Sequence, residues 1–422
     1  MKDLKSSLKL YAVTDSYWLN GRNLEDDVEK AIIGGVTMVQ LREKELDTDS
    51  FIKLAFKVKK VCNKYDIPFI INDSLEVFKA VDADGIHVGQ NDMRADLVRE
   101  EIGPNKILGV SAETVEEAIL AEKMGADYLG VGTIFNTTTK LDAITVSMDT
   151  LRNICDSVKI PVVAIGGINK DNISKLKNTM IDGVSVVSAI FAANDITKAT
   201  QELDLEISKI ILDISKYKLF IVDYDGTLLD SINMWDNIMS RYVSSKGVVP
   251  SNTLDNEIRA MTVDEAAEYV GKLYFSDKYK DEILNDVNEF IKREYLKIPL
   301  IDGAEKFLKD INKKGRVVLY TATTQPLIKA SLIKNDVLDY FDYLYTSTNY
   351  NETKTNPNGY LNIMRQLGFK PSETLIVEDA PHALEGASKA GSDILAIRTD
   401  VNIKKTDIIT NCPSFYINLR RY

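Results

Sequence analysis

Histidine is nearly missing from this chain: two residues in 422, His87 and His382. That argues against a His-rich zinc site and against a conventional Ser-His-Asp triad. Cysteine is scarce as well. Cys62, Cys155 and Cys412 lie far apart and form no ligand motif. They read as reduced thiols of a cytoplasmic protein. No apolar stretch is long enough to span a bilayer. The opening residues, MKDLKSSLKLYAV, carry neither the apolar segment nor the cleavage site of a signal peptide. Positive charge is in deficit, with a formal net charge of −11. That argues against nucleic acid or an anionic membrane as a partner, while leaving room for a local basic pocket. What the chain does have is length and apolar mass. With 422 residues, 45% of them hydrophobic, it suggests two or three domains with proper cores.

Residues 8–215 alternate between short β-rich runs and longer helical patterns. The runs are LKLYAVTD, VTMVQLRE, IPFIIND, DGIHVG, KILGVSA, ADYLGVG, IPVVAIGG and DGVSVVSAI. Segments such as NLEDDVEKAIIGG, TDSFIKLAFKVKKVCNKYD and TVEEAILAEKMG lie between them. Eight such units fit a closed (β/α)8 barrel of the TIM type. An open doubly wound sheet is the alternative, disfavoured because no GxGxxG follows the first strand.

In a barrel of this kind the active site lies at the C-terminal ends of the strands. The polar residues follow those ends: Gln40, Arg42, Glu43 and Lys44 after the second strand, Asn72 and Asp73 after the third, and His87 to Asp92 at the fourth. Ser111 ends the fifth, Thr137, Thr138, Thr139 and Lys140 follow the sixth, Gly166 and Gly167 the seventh, and Val187 and Ser188 the eighth. One such cluster is an ordinary solvated loop; all of them together form a ring. Arg42, Lys44 and Lys140 supply positive charge, and Asp73 and Asp92 are hard oxygen ligands suited to Mg²⁺. Cations beside Mg²⁺ point to a departing pyrophosphate. Backbone N–H groups at Gly167, Val187 and Ser188 would take a phosphate at the usual barrel position. His87 reads as a buried residue shaping its loop rather than a proton shuttle.

Residues 8–205 resemble thiamine-phosphate synthase, on the stretches QLREK, IIND, HVGQND, GVS, NTTTKLD, AIGGI and VSVVSAI. The resemblance implies Mg²⁺-dependent joining of hydroxymethylpyrimidine diphosphate to thiazole phosphate, giving thiamine phosphate and pyrophosphate. It implies that Gln40 to Lys44, Asn72, Ser111 and Lys140 bind the pyrimidine diphosphate and that Asp73 and Asp92 hold Mg²⁺. Thr137 to Thr139, Gly167, Val187 and Ser188 would bind the thiazole phosphate. Two positions depart from the family. Glu113 stands where His is frequent and Asn136 where Pro is, which bears on loop geometry rather than on catalytic charge.

A second alternation begins at KLFIVDYDGTLLDS and continues through RVVLYTAT, YLYTST, TLIVEDA and DILAIRT. It predicts a doubly wound, Rossmann-like domain whose site lies beyond the carboxyl ends of its strands. Those ends carry Asp223, Asp225, Thr321, Lys354, Glu378 and Asp379. As phosphoryl-transfer machinery, Asp223 is the nucleophile that forms an aspartyl phosphate. Asp225 protonates the leaving oxygen and then helps activate water. Thr321 holds the phosphoryl group and Lys354 balances its charge. Asp379 and Asp223, with Asp225 and Glu378 close by, are the candidate ligands of one Mg²⁺. His382 reads as a surface neighbour of this set.

This half resembles the haloacid dehalogenase-like hydrolases, on DYDGTLLDS, VVLYTATT, KTNP and IVEDAPHALEGA. An acidic residue at 225 points to phosphate chemistry rather than dehalogenation. The stretch 233–298 is similar to the family's helical cap. Residues 1–210 and 217–422 are thus expected to be separate domains of one fused, bifunctional enzyme acting on small molecules. Thiamine phosphate is the first choice of substrate for the second domain. A generalist sugar-phosphate phosphatase, a phosphomutase or a catalytically silent module is the alternative. Whether copies of the chain associate as a homo-oligomer is left open.

Overall fold

The computed structural model describes residues 4–136, 145–258, 261–275, 280–347, 353–398, 414–419 and 422. The chain divides between Asp213 and Ile214 into two compact units.

The first unit is a closed barrel of eight parallel strands. They are β1 (Leu10–Val13), β2 (Met38–Leu41), β3 (Phe69–Asn72), β4 (Gly85–Val88), β5 (Ile107–Ala112), β6 (Tyr128–Val131), β7 (Val162–Ile165) and β8 (Gly183–Val186). β1 closes the ring by pairing with β8, Tyr11 opposite Ser185. The strands are buried almost throughout, which is why they read as continuous apolar runs rather than alternating ones. Helices begin where a side chain takes up a free backbone N–H. Asp47 accepts from Ser50, Ser74 from Val77, and Thr114 with Glu117 forms a capping box. Helix Thr48–Lys64 buries Phe51, Ala55, Val58 and Cys62, one stripe at helical spacing. Between β7 and β8 only a 3₁₀ turn forms, Ile173–Leu176.

The second unit is a six-stranded parallel sheet of order β11-β10-β9-β12-β13-β14. The strands are β9 (Leu219–Val222), β10 (Arg316–Thr321), β11 (Tyr343–Thr346), β12 (Thr374–Glu378), β13 (Asp393–Ile397) and β14 (Phe415–Ile417). β9 lies at the centre between β10 and β12, so residues just past these three strands converge on one point. Among the described residues, six helices lie between β9 and β10, from Ile232–Asp236 to Ala304–Asn312. β14, three residues long, carries too few positions for a sequence pattern and was not expected. No helix among the described residues is long and apolar enough to cross a membrane.

Candidate active sites

The barrel carries a cavity of about 350 Å³ at the C-terminal ends of its strands. Gln40, Arg42, Lys44, Asn72, Asp73, Asp92, Ser111, Gly167, Val187 and Ser188 all line it. Glu43 does not. Its carboxylate accepts from Ser16 Oγ at 2.6 Å, and burial raises its pKa. Thr137, Thr138, Thr139 and Lys140 lie outside the described residues. Asn136, one of the two departures, is exposed, while Glu113 lines the cavity.

The acidic pair is held tightly at one side. Lys44 Nζ donates to Asp73, Asn72 donates to Asp73 at 2.9 Å, and Gly89 N donates to Asp92 at 2.8 Å. Burial raises the Asp73 pKa; Lys44 opposes this and hydrogen-bonded Asp92 adds to it. Two carboxylates in such contact repel unless a cation or a shared proton lies between them, so the donor set fits a hard divalent ion.

Below the charged rim lies a neutral polar chain that sequence reading did not find. Gln40 Nε2 donates to Tyr11 Oη at 2.6 Å, and Tyr11 Oη meets Tyr128 Oη at 2.8 Å. Tyr128 Oη meets His87 Nδ1 at 3.0 Å, and His87 Nε2 meets Ser111 Oγ at 3.0 Å. Burial pushes His87 down to about 4 and both phenols up, so all three stay uncharged at neutral pH. The contacts need an empty place in β5. A Cβ on Gly109 would lie 2.2 Å from Tyr128 Cζ and 2.4 Å from His87 Nδ1. A second missed residue is Ser185 on β8. Its hydroxyl is buried in the cavity wall without a hydrogen-bond partner. The available signal was the inward side of strands already assigned to a barrel, where Tyr, His and Ser are unusual beside Val and Ile.

The second unit builds its site from the ends of β9, β10 and β12. Asp223, Glu378 and Asp379 are all buried and place carboxylate oxygens within 4.8 Å of one another. Lys354 donates to Asp223 and, at 2.6 Å, to Glu378. Tyr360 also donates to Glu378, at 3.2 Å, and Thr227 bridges Asp379 at 2.8 Å and Asp223 at 3.2 Å. Burial, with Glu378 and Asp225 adding to it, pushes Asp223 to about 7 against the pull of Lys354. Asp379 is raised well above the usual carboxylate range, first by burial and then by Asp223 and Glu378. Burial alone would discharge Lys354; the two facing carboxylates outweigh it and keep the ammonium charged. Three buried carboxylates thus share one buried lysine, an excess of negative charge that fits a divalent cation. Gly226 is required beside them, since a Cβ there would lie 2.4 Å from Asp379 Oδ2.

Asp225 is not part of that carboxylate group. Its Oδ1 accepts from Ser231 at 2.8 Å, Trp235 Nε1 at 3.1 Å and Tyr295 Oη at 2.8 Å, and its Oδ2 accepts from Thr323 at 2.8 Å. Four donors thus engage the Asp225 carboxylate, which lines the same cavity as Asp223 and Glu378. Thr321 is buried, and its hydroxyl accepts from Thr323 N at 3.2 Å. The cavity beside this cluster measures about 480 Å³ and is lined also by Trp235, Asp264, Asn288, Ile291 and His382. Most of the aromatics of the helical segment face elsewhere. Tyr242 packs on Phe275 and Phe290, Tyr269 donates to Glu257, and Tyr274 accepts from Ser251 N. Asp236, Glu257, Glu265 and Glu268 do not line the cavity either.

Residues 10–190 match the family model described as thiamine monophosphate synthase, and residues 220–397 that of haloacid dehalogenase-like hydrolase. The thiamine-phosphate synthase of Clostridium tetani is 52% identical over 46% of this chain and 93% of its own length. Among solved structures, a thiamine phosphate pyrophosphorylase from Pyrococcus furiosus is 41% identical, covering half of this chain and all of its own, with a TM-score of 0.47. A putative beta-phosphoglucomutase from Thermotoga maritima is 20% identical, over 48% of this chain and 95% of its own, with a TM-score of 0.43.

Proposed function

From a chain whose first unit belongs to the thiamine-phosphate synthase family and whose second is a haloacid dehalogenase-like hydrolase domain, we propose two reactions in one cytoplasmic enzyme. The barrel joins hydroxymethylpyrimidine diphosphate to thiazole phosphate. The new C–N bond forms as the C–O bond to pyrophosphate breaks. Arg42 and Lys44 stand at the diphosphate end, with Lys140 expected to join them, and the backbone at Gly167, Val187 and Ser188 takes the thiazole phosphate. Asp73 and Asp92 would hold Mg²⁺, which offsets the charge growing on the leaving pyrophosphate. The observation that supports this reading is one cavity lined by Arg42, Lys44, Asp73 and Asp92 and also by Gly166, Gly167, Val187 and Ser188.

In the second unit Asp223 attacks phosphorus, the bond to the alcohol oxygen breaks, and Asp225 gives that oxygen its proton. Water then attacks the aspartyl phosphate, Asp225 takes its proton, and phosphate leaves. Asp223, Glu378 and Asp379 would hold Mg²⁺, which keeps Asp223 ionised and neutralises the phosphoryl oxygens. Thiamine phosphate is the proposed substrate. Lys354 is the only lysine or arginine among the described residues lining the cavity, while Trp235 and Asp264 line it too. A flat cationic leaving group gains from an aromatic face and a carboxylate; a second anionic group gains nothing there. A generalist sugar-phosphate phosphatase or a phosphomutase is the competing reading. The full chain, assayed with thiamine phosphate, phosphoglycolate and hexose phosphates and controlled by Asp223→Asn, decides between them. Thiamine phosphate is expected to give the highest kcat/KM; a higher value for either competitor removes the pathway assignment and keeps the phosphatase.

A further inference from the structure

The barrel's polar chain has five members and four links, and counting protons along it fixes more than its geometry. Phenols and hydroxyls keep their protons at neutral pH, and the buried His87 ring faces one hydroxyl with each nitrogen, which a neutral imidazole meets with one donor and one acceptor, so Tyr11, Tyr128, His87 and Ser111 each have one proton to donate. With Gln40 Nε2 donating to Tyr11, the Tyr11 proton must go to Tyr128 and the Tyr128 proton to His87 Nδ1. His87 then carries its proton on Nε2 and gives it to Ser111 Oγ. With the amide in this orientation, any other assignment leaves a phenol proton without an acceptor inside the barrel. The two ends, Gln40 and Ser111, line the cavity. In this state they show it an acceptor, Gln40 Oε1, and a donor, the Ser111 hydroxyl proton. Turning the Gln40 amide reverses every link and exchanges the two.

We propose that Tyr11, Tyr128 and His87 are positioning residues that lock the Gln40 amide and the Ser111 hydroxyl to opposite hydrogen-bonding senses. The cavity then favours a heterocycle that offers a donor to Gln40 and an acceptor to Ser111. This rests on the pyrimidine lying within reach of both residues in that cavity. An aminopyrimidine offers both through its exocyclic amine and the adjacent ring nitrogen. Its oxo analogue presents the reverse order and binds only if all four links turn over together. An edge with two acceptors or two donors leaves a buried group unpaired in either state.

The test compares the aminopyrimidine diphosphate with its 4-oxo analogue in the full-length protein. Tyr128→Phe removes two links; Tyr11→Phe cuts the chain nearer Gln40 and serves if the first variant does not fold. Wild type should prefer the amino substrate in kcat/KM, and either variant should lower that preference at least about tenfold, with KM for the amino substrate raised. A purely structural role would lower both substrates equally. Nitrogen-15 spectra of histidine-labelled protein give an independent readout, because the chain holds only two imidazoles. With the amino substrate bound, His87 should show a protonated Nε2 and an accepting Nδ1, and the variant a mixture of tautomers. Unchanged selectivity together with an unchanged His87 tautomer in a folded variant would overturn the proposal. Wild type failing to turn over the amino substrate would instead sink the synthase reading on which it rests.

Discussion

The two units handle charge in opposite ways. In the barrel the ionic groups stand at the rim: Lys44 is half exposed, and Arg42 and Asp73 are about a quarter exposed. Beneath them the interior is polar but uncharged. In the second unit Asp223, Lys354, Glu378 and Asp379 are each at most 6% exposed, and one lysine offsets only part of the charge of three carboxylates before any substrate arrives. A rim that stays hydrated can wait for a diphosphate to bring its own charge. A buried cluster is preset for a small, doubly charged phosphoryl group and is costly to unbalance.

The sharpest way to break this contrast is Asp223→Asn. Phosphate release should fall to background while thiamine-phosphate formation continues near the wild-type rate; parallel assays on one preparation measure both. Loss of both activities in folded protein would falsify the division of labour. Lys354→Met comes next. It strips Lys354, the only buried lysine or arginine among the described residues, from three carboxylates, so the second unit should lose about 3–5 kcal/mol, read from its urea midpoint. A loss under about 1 kcal/mol would mean that the cluster is hydrated after all. At the barrel rim the sign pattern should invert. Asp92→Ala should cost the synthase at least about 100-fold in kcat and leave stability nearly unchanged. The smallest effect is expected at Ser185, whose hydroxyl is buried and unpartnered. Ser185→Ala should raise barrel stability by about 1 kcal/mol and raise KM for one synthase substrate several-fold. A hydroxyl that serves only packing would move neither.

Strand positions were legible in both halves because parallel strands covered on both faces form unbroken apolar runs. KLFIVDYD contains β9, and TLIVEDA contains β12. Most of the polar residues read from the strand ends line the two cavities, because the topology of each fold brings those ends together. Direction was not legible. Glu43 and Asp225 stand in the right places by number, yet Glu43 turns to Ser16, and the Asp225 carboxylate is engaged by Ser231, Trp235, Tyr295 and Thr323. The side-chain partners that settle this lie up to 98 residues away. The helical segment taught the same lesson. Of its aromatics Trp235, Tyr242, Tyr269, Tyr274 and Phe275, Trp235 alone lines the cavity, and Tyr242 and Phe275 pack within the segment itself.

Gly109 has no side chain to offer, yet it decides whether the barrel's interior can carry a message. The site occupied by Tyr128 Cζ and His87 Nδ1 is the volume a methyl group would take at position 109. Gly109→Ala would push ring from ring and sever the link between the far ends of the polar chain without altering a single donor or acceptor. Recognition here is therefore written partly as vacant space: the chain of five polar residues has a sixth member whose contribution is to be absent.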